Sequence, residues 1–463
     1  MRFSMDPSWR RPASGDAVIA GSPVRVFRLT AAGRGIAEAI ERGDEVPESG
    51  APLTEKLLDA GAIHPLPDEH LHGIDPAEIT VVIPAFVDRA TVADRVAALV
   101  GGFSGTAEVI VVDDASPLPL PTPTAGDTTV RVERRPENGG PAAARNTGLA
   151  LARTEWVVFV DSDVVAAFDD VAALAAWVAH PRTAAIAPRV RSIGGSSTIE
   201  RYESSRSPLD AGPLPARVRS GSRVPYVPAA MLLCNVGAIR AIGGFDESMR
   251  TGEDVDLVWR LDRAGHHVRY EPAVEVGHHP RTDLSALVRQ RIGYGASTTA
   301  LHRKHGTAVA PLRATWANLG TWVSLIVGIP VVGLVLASIT AARLVRRLDF
   351  LPDAKVEAMR LAATAQLRTG RNLAAAITRV WWPVALVIGL FSKRARITLC
   401  AAALVPSLAE WWNERPALDP LRYACLRVVD DASYGIGVIE AAWRERTPAA
   451  LAPEIVSWSS SED

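Results

Sequence analysis

The sequence predicts an α/β protein built on a mostly parallel sheet, preceded by a small α+β module and followed by a helical, apolar region. Three observations carry this. Between residues 79 and 279, short apolar strand patterns alternate with helical ones, as strands joined by crossover helices do. Before residue 75 the order strand, helix, helix, strand stands apart from that alternation. After residue 310 the chain turns into long apolar runs punctuated by Arg and Trp. The expected divisions are 1–75, 76–310 and 311–463, since 463 residues exceed one ordinary core.

In the first module, VRVFRLT (residues 24–30) reads as a strand. AGRGIAEAIERG reads as a helix closed by Gly43, and LTEKLLDAGAI as a second helix ended by Gly61, with a closing strand at Ile63. That order suggests a winged-helix-like fold, either a peptide-binding element or a structural cap on the next domain. From Ile79, ITVVIPAF is a continuous apolar run broken by Pro84, as expected of a strand buried on both faces. A helix follows over 91–100. AEVIVVDDAS, TTVRVERRP and WVVFVDSDVV are further strands, with GGPAAARNTGLALA opening a helix between the last two. AAIAPRVRS, a polar loop over 192–222, and VPAAMLLCNVGAIRAIGG then lead to HHVRYEPAVEVGHH, which closes the domain.

Residues 316–342 contain no charge and are long enough to cross a bilayer. Arg343, Arg346 and Arg347 follow at once. Two shorter apolar runs, 380–391 and 397–409, are split by Lys393, Arg394 and Arg396 and flanked by Trp381, Trp382, Trp411 and Trp412. This predicts association with a membrane surface, on the cytoplasmic face of the cell membrane. Gly328 and Pro330 interrupt the first run, so the alternative is a buried helical domain. The acidic tail SWSSSED is expected to fray.

The bulk numbers exclude some classes. A formal net charge of −1 without a basic arm argues against nucleic acid as a partner. Cys234, Cys400 and Cys425 show no paired spacing and read as reduced thiols of a cytosol-facing protein. MRFSMDPSWRRP has no apolar run behind its arginines, so a cleaved signal peptide is not expected.

The chemistry concentrates where strands end in acids. Asp161-Ser162-Asp163 terminates an apolar strand, and two hard oxygen ligands there suit Mg²⁺ or Mn²⁺. Asp113 and Asp114 end the second strand and Asp88 follows the first, on the edge where open α/β sheets bind ligands. Gly139, Gly140 and Pro141 turn into a helix whose free N–H groups favour an anion, with Arg145 and Asn146 within reach of a nucleotide. Glu253 and Asp254 open another helix, with Asp256 on its first turn. Asp254 is suited to take a proton from an attacking hydroxyl. His278 or His279, ending the last strand, could add a metal ligand. Arg291 and Tyr294 sit at i, i+3 spacing, which fits a diphosphate or acceptor contact and plain helix packing equally.

VVIPAF, VVDDAS, NGGPAAARNTG, FVDSD and GGFDESMRTGEDVDLVWRLDRAG, in that order, resemble glycosyltransferase family 2 of the GT-A (nucleotide-diphospho-sugar transferase) fold over residues 79–305. The resemblance implies inverting transfer of a hexose from a nucleotide sugar with a divalent cation. It gives donor-binding roles to Pro84, Asp88, Asp113, Asp114, Arg145, Asp161 and Ser162, metal-binding roles to Asp163 and His278, and the base to Asp254. The family's usual asparagine and glutamate after the first strand's proline are here Val87 and Asp88.

VFRLTAAGRG, LTEKLLDAGAIHPLP, HHPRTDLSALVRQRIGYGASTTALHRKHG and the Trp-rich tail resemble, more narrowly, the mycofactocin-biosynthesis glycosyltransferases of actinobacteria. That resemblance implies UDP-glucose as donor, a small peptide-derived acceptor and a β-1,4-glucan product. The competing expectations are a polyprenyl-phosphate sugar transferase and a non-catalytic, membrane-tethered peptide-binding scaffold.

Overall fold

A computed structural model describes residues 1–67 and 74–456; the tail expected to fray lies outside them. The chain divides into two compact units. The first comprises Met1–Arg11, Gly15–Gly194 and Arg206–Pro280; the second comprises Pro12–Ser14, Gly195–Ser205 and the chain from Arg281 onward. The N-terminal module therefore shares a unit with the sheet, and the second unit begins at Arg281, ahead of the expected division at 310.

The module contains β1 (Phe3–Met5), β2 (Ala17–Ala20), β3 (Arg25–Arg28), α1 (Ala31–Arg42), α2 (Ala51–Asp59) and β4 (Ile63–Pro65). The Thr30 hydroxyl accepts from the Gly33 amide to start α1, and Gly43, at φ 74°, ends it. Ala37 and Ile40 pack on Leu57 and Leu58 of α2. β1 pairs antiparallel with β4, and β2 with β3. Neither β1 nor β2 was expected: three- and four-residue strands carry too little alternation to register.

The sheet follows with β5 (Ile79–Ala85), α3 (Ala90–Gly101), β6 (Glu108–Asp113), β7 (Thr129–Arg134), α4 (Pro141–Leu151), β8 (Trp156–Val160), β9 (Val164–Val165), α5 (Phe168–Ala175) and β10 (Thr183–Ser192). After α6 (Thr198–Ser205), which belongs to the second unit, come β11 (Ala216–Arg217), β12 (Met231–Asn235), α7 (Val236–Ala241), α8 (Glu253–Arg263) and β13 (His267–His278). Nine strands run in the order β11-β13-β10-β12-β8-β5-β6-β7, with β9 on β13. β7, β6, β5 and β8 are parallel, but β12 is antiparallel to both β8 and β10. The sheet is thus mixed where the alternation predicted a mostly parallel one. The reversal has a consequence for the site: the carboxyl end of β8 meets the amino end of β12, and Asp161 donates its amide to the Ala230 carbonyl at 2.8 Å. α4 lies so close to β5 that a Cβ on Gly148 would stand 2.2 Å from Val82 Cγ1.

The module is held to the sheet by charge. Asp59 receives Arg217 at 2.7 Å, Arg182 at 2.9 Å and His267 at 3.0 Å. Glu55 receives Arg182 at 2.8 Å and pairs with His180 at 2.9 Å, whose ring stacks on His267. Asp6 pairs with His64 and Arg223. Partial burial alone would raise the Asp59 carboxyl; the hydrogen bonds from Arg217, His267 and Arg182 outweigh it and hold the group down to about 2.

The second unit is helical: α9 (Leu284–His305), α10 (Trp316–Val327), α11 (Pro330–Arg347), α12 (Ala354–Arg379), α13 (Trp382–Phe391), α14 (Lys393–Glu414) and α15 (Pro420–Arg444), with β14 (Arg313–Ala314) parallel to β15 (Glu454–Ile455). The uncharged run expected to be long enough for a bilayer is broken. Gly328, at φ 89°, caps α10, and Pro330 starts α11. Among the described residues no single helix is long and apolar enough to cross a membrane; α12 and α13 meet that test only together, bent by 87°. Arg291 is buried between Glu203 and Asp430, with Tyr202 donating to Asp430 at 2.9 Å. Arg291 therefore holds its own helices together, and of the two readings of its spacing the packing one applies.

Candidate functional site

The site assembles where β5, β6, β8 and β13 end and α8 begins. At its centre Arg145, on the second turn of α4, is buried and reaches two carboxylates. It donates to Asp161 Oδ1 at 2.6 Å and to Glu253 Oε1 at 2.7 Å. Its guanidinium carbon stands 5.4 Å from the centre of the Phe245 ring, which packs edge-on against Phe159 of β8. Asn146, expected within reach of a nucleotide, is engaged within the chain. Its amide brackets the Phe245 backbone, donating to the carbonyl and accepting from the N–H, both at 2.9 Å, and so positions the turn that leads to α8.

Asp254, on the first turn of α8, accepts from the Val255 amide at 2.8 Å and the Ala229 amide at 3.3 Å. Burial raises its carboxyl above the ordinary range, against the pull of Arg145 and those amides. Burial and the adjacent Asp254 carboxylate likewise push Glu253 up, despite its contact with Arg145. Asp161 is raised by burial and by Asp163 and Asp254, with Arg145 opposing. One cation thus stands among several carboxylates, a concentration of negative charge that a second cation would relieve. Asp256 takes no part: it is buried and paired with Arg260 at 2.7 Å.

The Asp-Ser-Asp triplet forms a tight turn, with the Val164 amide donating to the Asp161 carbonyl at 3.0 Å and Ser162 half-buried at its tip. β9 then pairs with the end of β13, which brings His278 Nε2 to 3.2 Å from Asp163 Oδ2. His279 gives its backbone amide to the Asp163 carbonyl, so the imidazole facing the carboxylate is that of His278. The pair fits a divalent cation: adjacent ligands of an octahedral ion at about 2.1 Å stand about 3 Å apart. His278 Nδ1 is buried without a hydrogen-bond partner. Among the described residues no group of three or more His, Cys, Asp or Glu side chains surrounds one point, which leaves other coordination positions to a ligand's oxygens and water.

The expected anion site at the start of α4 is filled from within the chain. Asp114 accepts from the amides of Gly139 at 3.0 Å and Gly140 at 2.7 Å, with Arg135 at 3.3 Å. The helix N-terminus does attract an anion, but the anion is a side chain of β6. Asp113 accepts from the Ser116 amide at 2.9 Å and from Arg134 at 2.5 Å. Directly after these two acids Ala115 is held at φ 55°, in the left-handed region. Arg134 and Arg135 were not anticipated. The signal was the parallel register, which sets Arg134 beside Asp113. Pro84 lies within β5 opposite Val112; Asp88, just beyond, is half-exposed and pairs with Arg89 at 3.2 Å. Phe86, between them, is an exposed aromatic at the same edge that sequence reasoning passed over.

The chain matches the family model "Glycosyl transferase family 2" over residues 80–235. It is 36% identical over 456 residues, 95% of each chain, to the pre-mycofactocin glycosyltransferase of Mycobacterium tuberculosis, in both strain CDC 1551 and strain H37Rv. Among solved structures, the mannosyltransferase PcManGT from Pyrobaculum calidifontis, in complex with GDP-Man and Mn²⁺, aligns at 18% identity and a TM-score of 0.39, over 79% of this chain and 96% of that one. On the near full-length match and the family model together, the chain belongs to the pre-mycofactocin glycosyltransferases, within glycosyltransferase family 2.

Proposed function

We propose that this chain is an inverting hexosyltransferase that moves glucose from UDP-glucose to a hydroxyl of a peptide-derived acceptor, pre-mycofactocin or its growing glycan, and so builds a β-1,4-linked chain. The acceptor reading rests on the name of the Mycobacterium tuberculosis relative. The chemical reading rests on one observation: Asp254 is a half-buried carboxylate, held by two backbone amides beside a cluster that carries more acids than cations.

In the proposed step Asp254 takes the proton of the acceptor hydroxyl. The freed oxygen forms a bond to the anomeric carbon as the bond from that carbon to the diphosphate breaks, and UDP leaves with the electron pair. Burial makes Asp254 a stronger base than a solvated carboxylate, and the two amides fix its orientation. Arg145 keeps Asp161 and Glu253 in place, and Asp163 with His278 would hold Mg²⁺ or Mn²⁺. Such a cation, when bound, supplies positive charge to the leaving diphosphate.

The test is Asp254→Asn, assayed for transfer and for UDP-glucose binding by calorimetry. Transfer is expected to fall by about 10²–10⁴-fold, with donor affinity changed by no more than about twofold. Loss of donor binding together with transfer would remove the base assignment. Undiminished transfer would point to an acceptor already anionic, a polyprenyl phosphate, which needs no base.

A further inference from the structure

The second unit turns apolar side chains outward in one place. The α10–α11 turn at Gly328–Ile329 and the α13–α14 turn at Phe391–Ser392 lie side by side. The Arg394 guanidinium packs on Gly328 and donates to the Val327 carbonyl. Around these paired turns stand Phe391 at 87% exposure, Leu390 at 73%, Val331 and Leu334 at 70%, and Ile329 at 51%. A folded chain in water has no use for five such residues at one tip. The pattern continues along α14, where Ile397, Leu404, Val405, Leu408 and Trp412 are exposed at helical spacing.

Charge identifies the occupant. Residues 316–415 carry 12 Lys and Arg against 5 Asp and Glu, in a chain whose formal net charge is −1. Lys393, Arg394 and Arg396 directly follow the α13 tip, and Lys393 and Arg394 are exposed. A protein partner would meet the apolar tip with its own apolar surface and would not call for basic residues set directly behind it. A lipid leaflet offers both layers in that order: acyl chains, then phosphates.

We propose that the paired turns form a monotopic membrane contact, in which Ile329, Val331, Leu390 and Phe391 enter the acyl boundary of one anionic leaflet while Lys393, Arg394 and Arg396 meet the lipid phosphates. α13, with 10 residues, is about 15 Å long, half the hydrocarbon thickness of a bilayer. The contact therefore enters one leaflet and does not cross. It stands independently of the transferase reading.

The test is flotation of the full chain with neutral phosphatidylcholine vesicles and with vesicles containing 30–40% phosphatidylglycerol (about the anionic fraction of a charged leaflet). The chain is expected to float with the anionic vesicles, less so as salt rises. The double variant L390D/F391D is expected to reduce binding at least about tenfold, and K393E by about fivefold. Both positions are exposed, so the variants keep their helical circular dichroism, and hexose transfer to a soluble acceptor stays at the parental rate. Three outcomes would overturn the proposal. The first is no flotation, or flotation that L390D/F391D leaves unchanged. The second is resistance to carbonate extraction with protease-protected segments, which would mean a span. The third is a concentration-dependent dimer, by light scattering, that L390D/F391D dissolves, which would make the occupant a second copy.

Discussion

Two buried arginines organise the two units, and their surroundings differ in a way that separates architecture from chemistry. Arg291 lies between Glu203 and Asp430, and close along the same helices Arg427 and Arg379 attend Asp431. Cations and anions there nearly match. Arg145 also bridges two acids, but Asp254 and Asp163 press on the same cluster, and burial together with their charges raises the carboxyls around it. A structural network is closed; this one has been left short of positive charge. The excess of acid, at a sheet edge and beside an imidazole, is what distinguishes the site from a merely well-packed ionic core.

That contrast can be broken by substitution. Arg291→Met removes a cation from a balanced network and strands two buried carboxylates, so an unfolding cost of about 3–5 kcal/mol is expected by denaturant titration. A cost below about 1 kcal/mol would mean that the network is dispensable. Next in size, Asp163→Ala should weaken Mn²⁺-dependent UDP-glucose binding by about 10–100-fold. Calorimetry with Mn²⁺ and with EDTA reads this, and a variant that binds the donor in Mn²⁺ as tightly as the parent does would remove Asp163 from any metal site.

Glu253→Gln sharpens the comparison by its sign. Because the Glu253 carboxyl is raised in the fold, its ionised form costs stability, and that cost grows as pH rises from its unfolded value near 4.5 to about 7. The variant should therefore be more stable than the parent at pH 8 and no different at pH 4. Greater stability of the parent at pH 8 would refute the excess-acid description. The smallest effect belongs to the module interface. Asp59 is held low, so its contribution is present above about pH 4 and is lost as pH falls through about 2. With that side chain 43% exposed, Asp59→Asn should cost at most about 1 kcal/mol. Hydrogen exchange in α2 should report the loosening, and unchanged exchange would mean that Asp59 does not fasten the module.

Much of this was legible in the residues. The strand runs ending in acids survive as β5, β6 and β8, because continuous apolar runs of five to seven residues buried on both faces leave few alternatives. Asp163 and His278 could be paired in advance only by resemblance, since 115 positions separate them and the β9–β13 register that joins them carries no local signal. The direction of β12 was hidden for the same reason: an apolar run reads alike in either direction. The hold of Asp114 on the start of α4 was not legible, because nothing in VVDDAS tells a carboxylate that awaits a ligand from one that caps the neighbouring helix. In the second unit, Gly328 and Pro330 announced the break in the long apolar run, and composition alone could not say which faces would remain uncovered.

The clamp that Gly139 and Gly140 place on Asp114 bears on how the enzyme could be inhibited. Many nucleotide-binding proteins grip phosphate with a helix start, and a phosphate mimic can borrow those amides. Here that berth is taken by the protein's own carboxylate. If Asp163 and His278 hold a cation as proposed, a donor analogue would have to gain its hold through chelation there, or through the nucleoside and sugar. Neutral linkers in place of the diphosphate would then forfeit the metal without any amide to compensate, whereas a chelating linker of modest charge would keep most of the natural donor's grip.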